Sequence, residues 1–135
     1  MKFQQDLSWM LEDILKVPGA QHALLVSADG LKRGATVELD PDLADTAAAA
    51  MSGLQSISRS TANFAGPTGS PRWRQTVVEF DHGWVFLIAA GNGAYLAVSA
   101  SSDVDMGDIT FRMQQLVQRL GREMTSPPRE AAGEA

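Results

Sequence analysis

Apolar residues at Phe3, Leu7, Met10, Leu11, Ile14 and Leu15 recur at three- and four-residue steps, the spacing of one helical face. A helix is therefore expected over 3–16, stopped at Val17-Pro18-Gly19, where proline and glycine together end helical growth. The run 22–28 is apolar almost throughout and reads as a buried strand. Asp29-Gly30 follows, a pair that tolerates the positive φ angles of a tight hairpin turn. The chain returns as a second strand over 31–37, where Lys32 and Arg33 indicate exposure. A long helix opens at Asp40-Pro41, with Asp40 able to cap free N–H groups and proline suited to the first helical position. Its pattern persists to about Phe64. Gly66, Pro67, Gly69 and Pro71 then break regular structure over 65–71.

Three strands come next, over 72–80, 84–90 and 94–100, separated by the turns Asp81-His82-Gly83 and Gly91-Asn92-Gly93. From Ser102-Asp103 a last helix carries Met106, Ile109, Met113, Leu116, Val117, Leu120 and Met124 along one side. Pro127, Pro128 and small or charged residues predict a disordered tail over 125–135, leaving 1–124 as one domain. The order is α-β-β-α-β-β-β-α. Two hairpin systems around a helix predict an α/β (α+β) fold, a five-stranded antiparallel sheet with helices on both faces.

Composition narrows the function. The 135 residues are 44% hydrophobic and 20% charged, ordinary for a globular domain. No cysteine is present, which removes disulfides, thiolate metal sites and cysteine nucleophiles together and suits a cytoplasmic setting. The opening residues lack the apolar core of a signal peptide, and no run approaches the roughly 20 apolar residues of a membrane span. A net charge of −5 argues against nucleic acid as partner; Arg72 and Arg74 are too few to reverse that.

Catalytic groups are sparse. His22 and His82 fall at a strand start and in a turn, with no nucleophile–base set around them. The glycine turns lack the lysine that completes a phosphate loop. Asp103, Asp105 and Asp108 are closely spaced carboxylates but lack the glycine and closing glutamate of a calcium loop. They are read as acidic residues at the positive end of a helix. No metal, cofactor or catalytic residue is expected.

The long helix is the informative element. Leu43, Ala47, Ala50, Leu54, Ile57, Thr61 and Phe64 form one seam, expected to pack on the sheet. The other side reads Ala48, Ala49, Ser52, Ser56, Ser60 and Asn63, with Arg59 the only charge after Asp45. Small residues let another helix approach closely, which points to self-association; the alternative is a plain solvated helix. The polar strand 72–80 reads as a sheet edge where two copies could join. The expected dimer interface is thus Ala48, Ala49, Ser52, Ser56, Arg59, Ser60, Arg72, Arg74, Thr76 and Val78. Trp9 and Phe111 fall off their helices' apolar stripes and are candidate partner contacts.

The ordered set of Leu7-Ser8-Trp9-Met10-Leu11, Val17-Pro18-Gly19, Ala28-Asp29-Gly30-Leu31, Arg74-Gln75-Thr76-Val77-Val78-Glu79, His82-Gly83-Trp84-Val85-Phe86-Leu87 and Gly91-Asn92-Gly93-Ala94-Tyr95-Leu96-Ala97-Val98 resembles the roadblock family, the dynein light-chain type, in its bacterial branch. The likeness covers about 7–124. It implies a profilin-like fold, and a homodimer made by joining third strands and packing central helices. It further implies a non-catalytic scaffold or regulator of a small Ras-like GTPase. A small-molecule-sensing domain of similar fold is the alternative.

Overall fold

The computed structural model describes residues 6–66, 69 and 71–125. Its elements are α1 (Ser8–Leu11), continued by a 3-10 segment (Glu12–Lys16), β1 (Ala20–Ser27), β2 (Lys32–Ala35), α2 (Pro41–Arg59), α3 (Ala62–Ala65), β3 (Gln75–Phe80), β4 (Gly83–Gly91), β5 (Ala94–Ser101) and α4 (Met106–Thr125). The expected residues 3–5, parts of the 65–71 loop and the tail beyond Thr125 lie outside the described residues.

All five strands form one antiparallel sheet in the order β2-β1-β5-β4-β3. Strand side chains alternate between faces, and here both faces are covered. Ala94, Leu96, Val98 and Ala100 of β5 enter a core with Phe86 and Ile88 of β4 and with Leu7, Leu11, Ile14, Ile109, Met113 and Leu120. Tyr95 and Ala97 enter a second core with Leu24, Val26, Leu87 and the α2 alanines Ala44 and Ala48. Double coverage explains why these strands read as continuous apolar runs. Each large side chain so buried contributes roughly 1.5–3 kcal/mol.

The turns behave as their residues require. Gly30 sits at φ 89° in the β1–β2 hairpin, and Gly91, Asn92 and Gly93 all take positive φ between β4 and β5. Asp40 caps α2 by accepting the Leu43 N–H at 3.0 Å, and Asp105 accepts the Asp108 N–H at 2.9 Å at the start of α4.

Three expectations are corrected. The first helix tightens into a 3-10 turn after Leu11, as last turns before a proline stop often do. The long helix ends at Arg59 and restarts only as α3, because side chains compete for its carbonyls. Ser60 Oγ donates to the Ile57 carbonyl and Thr61 Oγ1 to that of Ser58, at 2.6 and 2.7 Å. Finally, β3 begins at Gln75, so Arg72 and Arg74 precede the strand. Trp73 between them is drawn toward the end of α2. Its indole N–H donates to Thr76 Oγ1 at 2.9 Å, its ring lies 5.8 Å from Tyr95, and the Arg59 guanidinium stands 5.2 Å above it.

Gly83 opens β4 opposite the end of β5, where it pairs with Ser101. A Cβ there would stand 2.5 Å from the Ala100 carbonyl oxygen, a backbone atom with nowhere to move. Gly83→Ala is expected to destabilise the domain by about 1–3 kcal/mol, read as a lower urea midpoint at unchanged m-value.

Candidate interaction surface

The orientation of α2 decides what the domain shows to a partner. Ala44, Ala48 and Gln55 are its buried residues. The seam expected to face the sheet is split: Ala47 and Leu54 are half-buried against the second core, while Leu43 is 54% exposed, Ile57 67%, and Phe64 beyond the break 96%. Polar contacts set this rotation. Ser52 Oγ donates to the Ala28 carbonyl in the hairpin below. Gln55 Oε1 accepts from Arg59 Nε at 2.7 Å, and Arg59 Nη2 donates to Tyr95 Oη at 3.1 Å. Ser58 Oγ accepts from Thr76 Oγ1 at 2.7 Å. The small side chains of Ala44 and Ala48 let the helix lie close to the strands.

This arrangement redistributes the expected interface residues. Ala48 is fully covered by its own sheet, which removes it from the surface. Ser52, Arg59 and Thr76 spend their polar groups within the domain. Ala49, Ser56, Ser60, Arg72 and Arg74 are exposed, and Val78 is half-buried. Opposite the buried alanines runs an apolar stripe of Leu43, Ala50 and Ile57, flanked by the half-buried Ala47 and Leu54. The seam read from the sequence packs on the sheet only through Ala47 and Leu54; Leu43, Ala50 and Ile57 face outward.

The two sheet edges are treated differently. On β2 and just beyond it, the outward Ala35 N–H is taken by Ser8 Oγ at 3.0 Å and the Val37 N–H by the Glu12 carboxylate at 2.7 Å. Those side chains close that edge. β3 is the other outermost strand, and among the described residues no strand pairs with its outer side. Val77 and Phe80 on it are exposed. An open edge presents unpaired backbone groups to another strand.

The residues weighed for chemistry do not converge. His82 lies against Phe80 at 5.9 Å, while His22 Nδ1 is buried with no hydrogen-bond partner, beside the equally unpartnered Ser99 Oγ on the paired strand. Asp103 accepts from Ser101 Oγ at 2.7 Å and Asp105 caps α4. Among the described residues, no group of three or more histidines and carboxylates could hold a metal ion. Among the same residues, no helix is long and apolar enough to cross a membrane. Trp9 and Phe111 are 62% and 60% exposed.

With this geometry established, comparison with known proteins is informative. The family model of the Roadblock/LC7 domain matches residues 7–100. The chain belongs to the Roadblock/LC7 family. A solved Roadblock/LC7 domain from Streptomyces avermitilis is 36% identical, with TM-score 0.84, covering 90% of this chain and 100% of that one. An MglB solved in a tetrameric arrangement has TM-score 0.73 at 20% identity, covering 84% of each chain. The fold likeness extends to LokiProfilin2, solved with rabbit actin, at TM-score 0.53 and 14% identity, covering 86% of this chain and 96% of that one. The roadblock, profilin-like architecture follows. No curated protein sequence matches.

In this Roadblock/LC7 domain one ion pair ties the first and last helical segments. Arg119 Nη1 donates to Asp13 Oδ2 at 2.6 Å, and Lys16 Nζ lies 3.4 Å from the other carboxylate oxygen. The Arg119 hydrogen bond, then Lys16, holds the Asp13 carboxyl below the usual range despite some desolvation. A lowered native pKa adds stability that is present above the ordinary aspartate range and lost as pH falls through the lowered value. Both partners are substantially exposed, so the contribution is under about 1 kcal/mol. Asp13→Asn is therefore expected to lower the melting temperature slightly at neutral pH, with the gap to the parent closing as pH falls through the lowered value. Thermal scans across pH 2–7 check this; a constant gap across that range would contradict it.

Proposed function

We propose that this Roadblock/LC7 domain is a non-catalytic homodimeric scaffold that regulates a small Ras-like GTPase. The observation that carries the dimer is the continuity of two unsatisfied surfaces. The outward stripe Leu43–Ala50–Ile57 runs along a helix that reaches β3 at its far end, and β3 is the open edge. A two-fold axis beside β3 joins two such edges into one ten-stranded sheet and lays the two stripes against each other. Ala49, Ser56, Ser60, Arg72, Arg74 and Val78 then border the contact. The tetrameric MglB with the same fold supports self-assembly. The GTPase reading rests on the resemblance to the bacterial roadblock branch, in which such dimers act on small GTPases.

The dimer is tested at Ile57. A symmetric interface places the substitution twice, and each isoleucine withdrawn from water is worth roughly 1.5–3 kcal/mol. Ile57→Glu is expected to weaken the dimer at least tenfold in sedimentation equilibrium. Ser56→Arg, on the flank of the stripe, is expected to have a smaller effect. An Ile57→Glu protein that remains dimeric at low micromolar concentration would remove this interface. The GTPase is tested by capture from native extract with GTP and with GDP. A small GTPase retained under one nucleotide is expected; its absence under both removes the partner.

A further inference from the structure

A second surface lies on the opposite side of the sheet from α2, where the first helical segment packs on α4. Ser101 N–H donates to the Gly19 carbonyl at 2.8 Å, placing the end of the first segment beside the start of α4, and Asp13 meets Arg119 further along. The two segments therefore run antiparallel. Between them is a groove of about 320 Å³ with Ile14 and Leu116 in its lining. Its walls carry Lys16, Arg112, Arg119 and Arg122, together with the amides of Gln115 and Gln118. Asp13 is the one carboxylate in that lining.

This composition runs against the rest of the molecule. The chain has 11 cationic and 16 acidic side chains and a net charge of −5, yet four of the cations line this single groove. Asp13 shares its charge between Lys16 and Arg119, and Arg112 is 3.6 Å from Asp108 in a half-exposed pair. The local excess remains positive. On α4 helical spacing puts an exposed aromatic beside it, since Phe111 precedes Gln115 by one turn.

We infer that this groove is a docking site for an acidic, partly apolar peptide segment of a partner protein. Carboxylates would pair with Lys16 and Arg112, and apolar residues would cover Ile14 and Leu116. The glutamine amides, each both donor and acceptor, would meet the peptide backbone. A nucleic-acid backbone fits less well, because four cations on an anionic protein supply little of the affinity that phosphate binding needs. Acidic repulsion from the remaining surface would direct such a peptide to this face. The groove is separate from the α2 stripe, so a dimer would present two copies of it.

The test uses the full chain and a fluorescein-labelled synthetic peptide alternating glutamate with leucine; its lysine-for-glutamate counterpart is the control. Anisotropy is expected to show saturable binding of the acidic peptide alone, weakening several-fold between about 50 and 200 mM salt. The double variant Lys16→Glu/Arg112→Glu should bind at least tenfold more weakly, with a melting temperature lowered only slightly by the loss of the exposed pairs to Asp13 and Asp108. If that variant fails to fold, Arg112→Ala with Gln115→Ala replaces it, with the same direction expected. Amide chemical-shift changes should fall on 13–16 and 112–119. Equal binding by parent and variant, equal binding of the basic peptide, shifts confined to α2, or no binding at all would each overturn the proposal. Binding that appears only in Glu130→Gln/Glu134→Gln would assign the groove to the chain's own tail and overturn it as well. A changed oligomeric state in the Lys16→Glu/Arg112→Glu protein would assign it to a second copy, with the same consequence.

Discussion

The surface of this domain depends on how α2 is rotated, and that rotation is set by polar contacts together with a close alanine-lined contact on the sheet. Beneath α2 lie three groups that take partners from it: the Ala28 carbonyl in the β1–β2 turn, the Tyr95 hydroxyl and the Thr76 hydroxyl. Ser52, Arg59 and Ser58 meet them, and they can do so only if Ala44, Ala48 and Gln55 face the sheet. The Tyr95 and Thr76 hydroxyls are part-buried and the Ala28 carbonyl exposed, so each of these hydrogen bonds is worth about 1 kcal/mol net. They act with the alanine-lined contact, against which Met51 and Leu54 also pack, and leave Leu43 and Ile57 on the outside beside an unpaired strand.

That balance also explains which parts of the structure were legible in the sequence. The strands were, because β1, β4 and β5 are covered on both faces and carry nearly unbroken apolar runs, with Asp29-Gly30 closing the first and Gly91-Asn92-Gly93 separating the other two. The capping residues Asp40 and Asp105 act locally and could be read locally. The phase of α2 could not. Its stretch Ala47-Ala48-Ala49-Ala50 is apolar on every side, so only the larger residues mark a seam, and of these Leu54 packs on the sheet while Leu43 and Ile57 face outward. The break after Arg59 was hidden for a related reason. Ser60 and Thr61 are compatible with a helix and terminate it only once their hydroxyls turn back onto Ile57 and Ser58. The cluster of Arg59, Trp73 and Tyr95 joins residues far apart in sequence, and no spacing could have revealed it.

The sheet edges show a complementary division. An exposed edge is a hazard that proteins usually blunt with charge or coverage. Here one edge is blunted with side chains from the first helix: Ser8 and Glu12 occupy the N–H groups that a further strand would use. The opposite edge has only a loop containing Arg72 and Arg74 before it, and its own Val77 and Phe80 stand exposed. Closing one edge and leaving the other open limits sheet-to-sheet growth to a single joint. A two-fold joint of that kind closes on itself, whereas two open edges would permit continued addition of copies.

The two faces of the sheet then differ in chemistry as well as in position. The α2 face presents a neutral apolar stripe, suited to a surface that meets its own kind, where like charges would repel. The opposite face gathers cations along α4, beyond the span 7–100 that the family model matches. α4 is nonetheless part of the fold, since Ile109, Met113, Leu116 and Leu120 enter the core of that face and only its outer side carries the cations. In the proposed reading self-association would draw on the α2 face, while discrimination between partners would draw on the outer side of α4. Charge suits that second task, because electrostatic complementarity sets encounter and selectivity more than raw affinity.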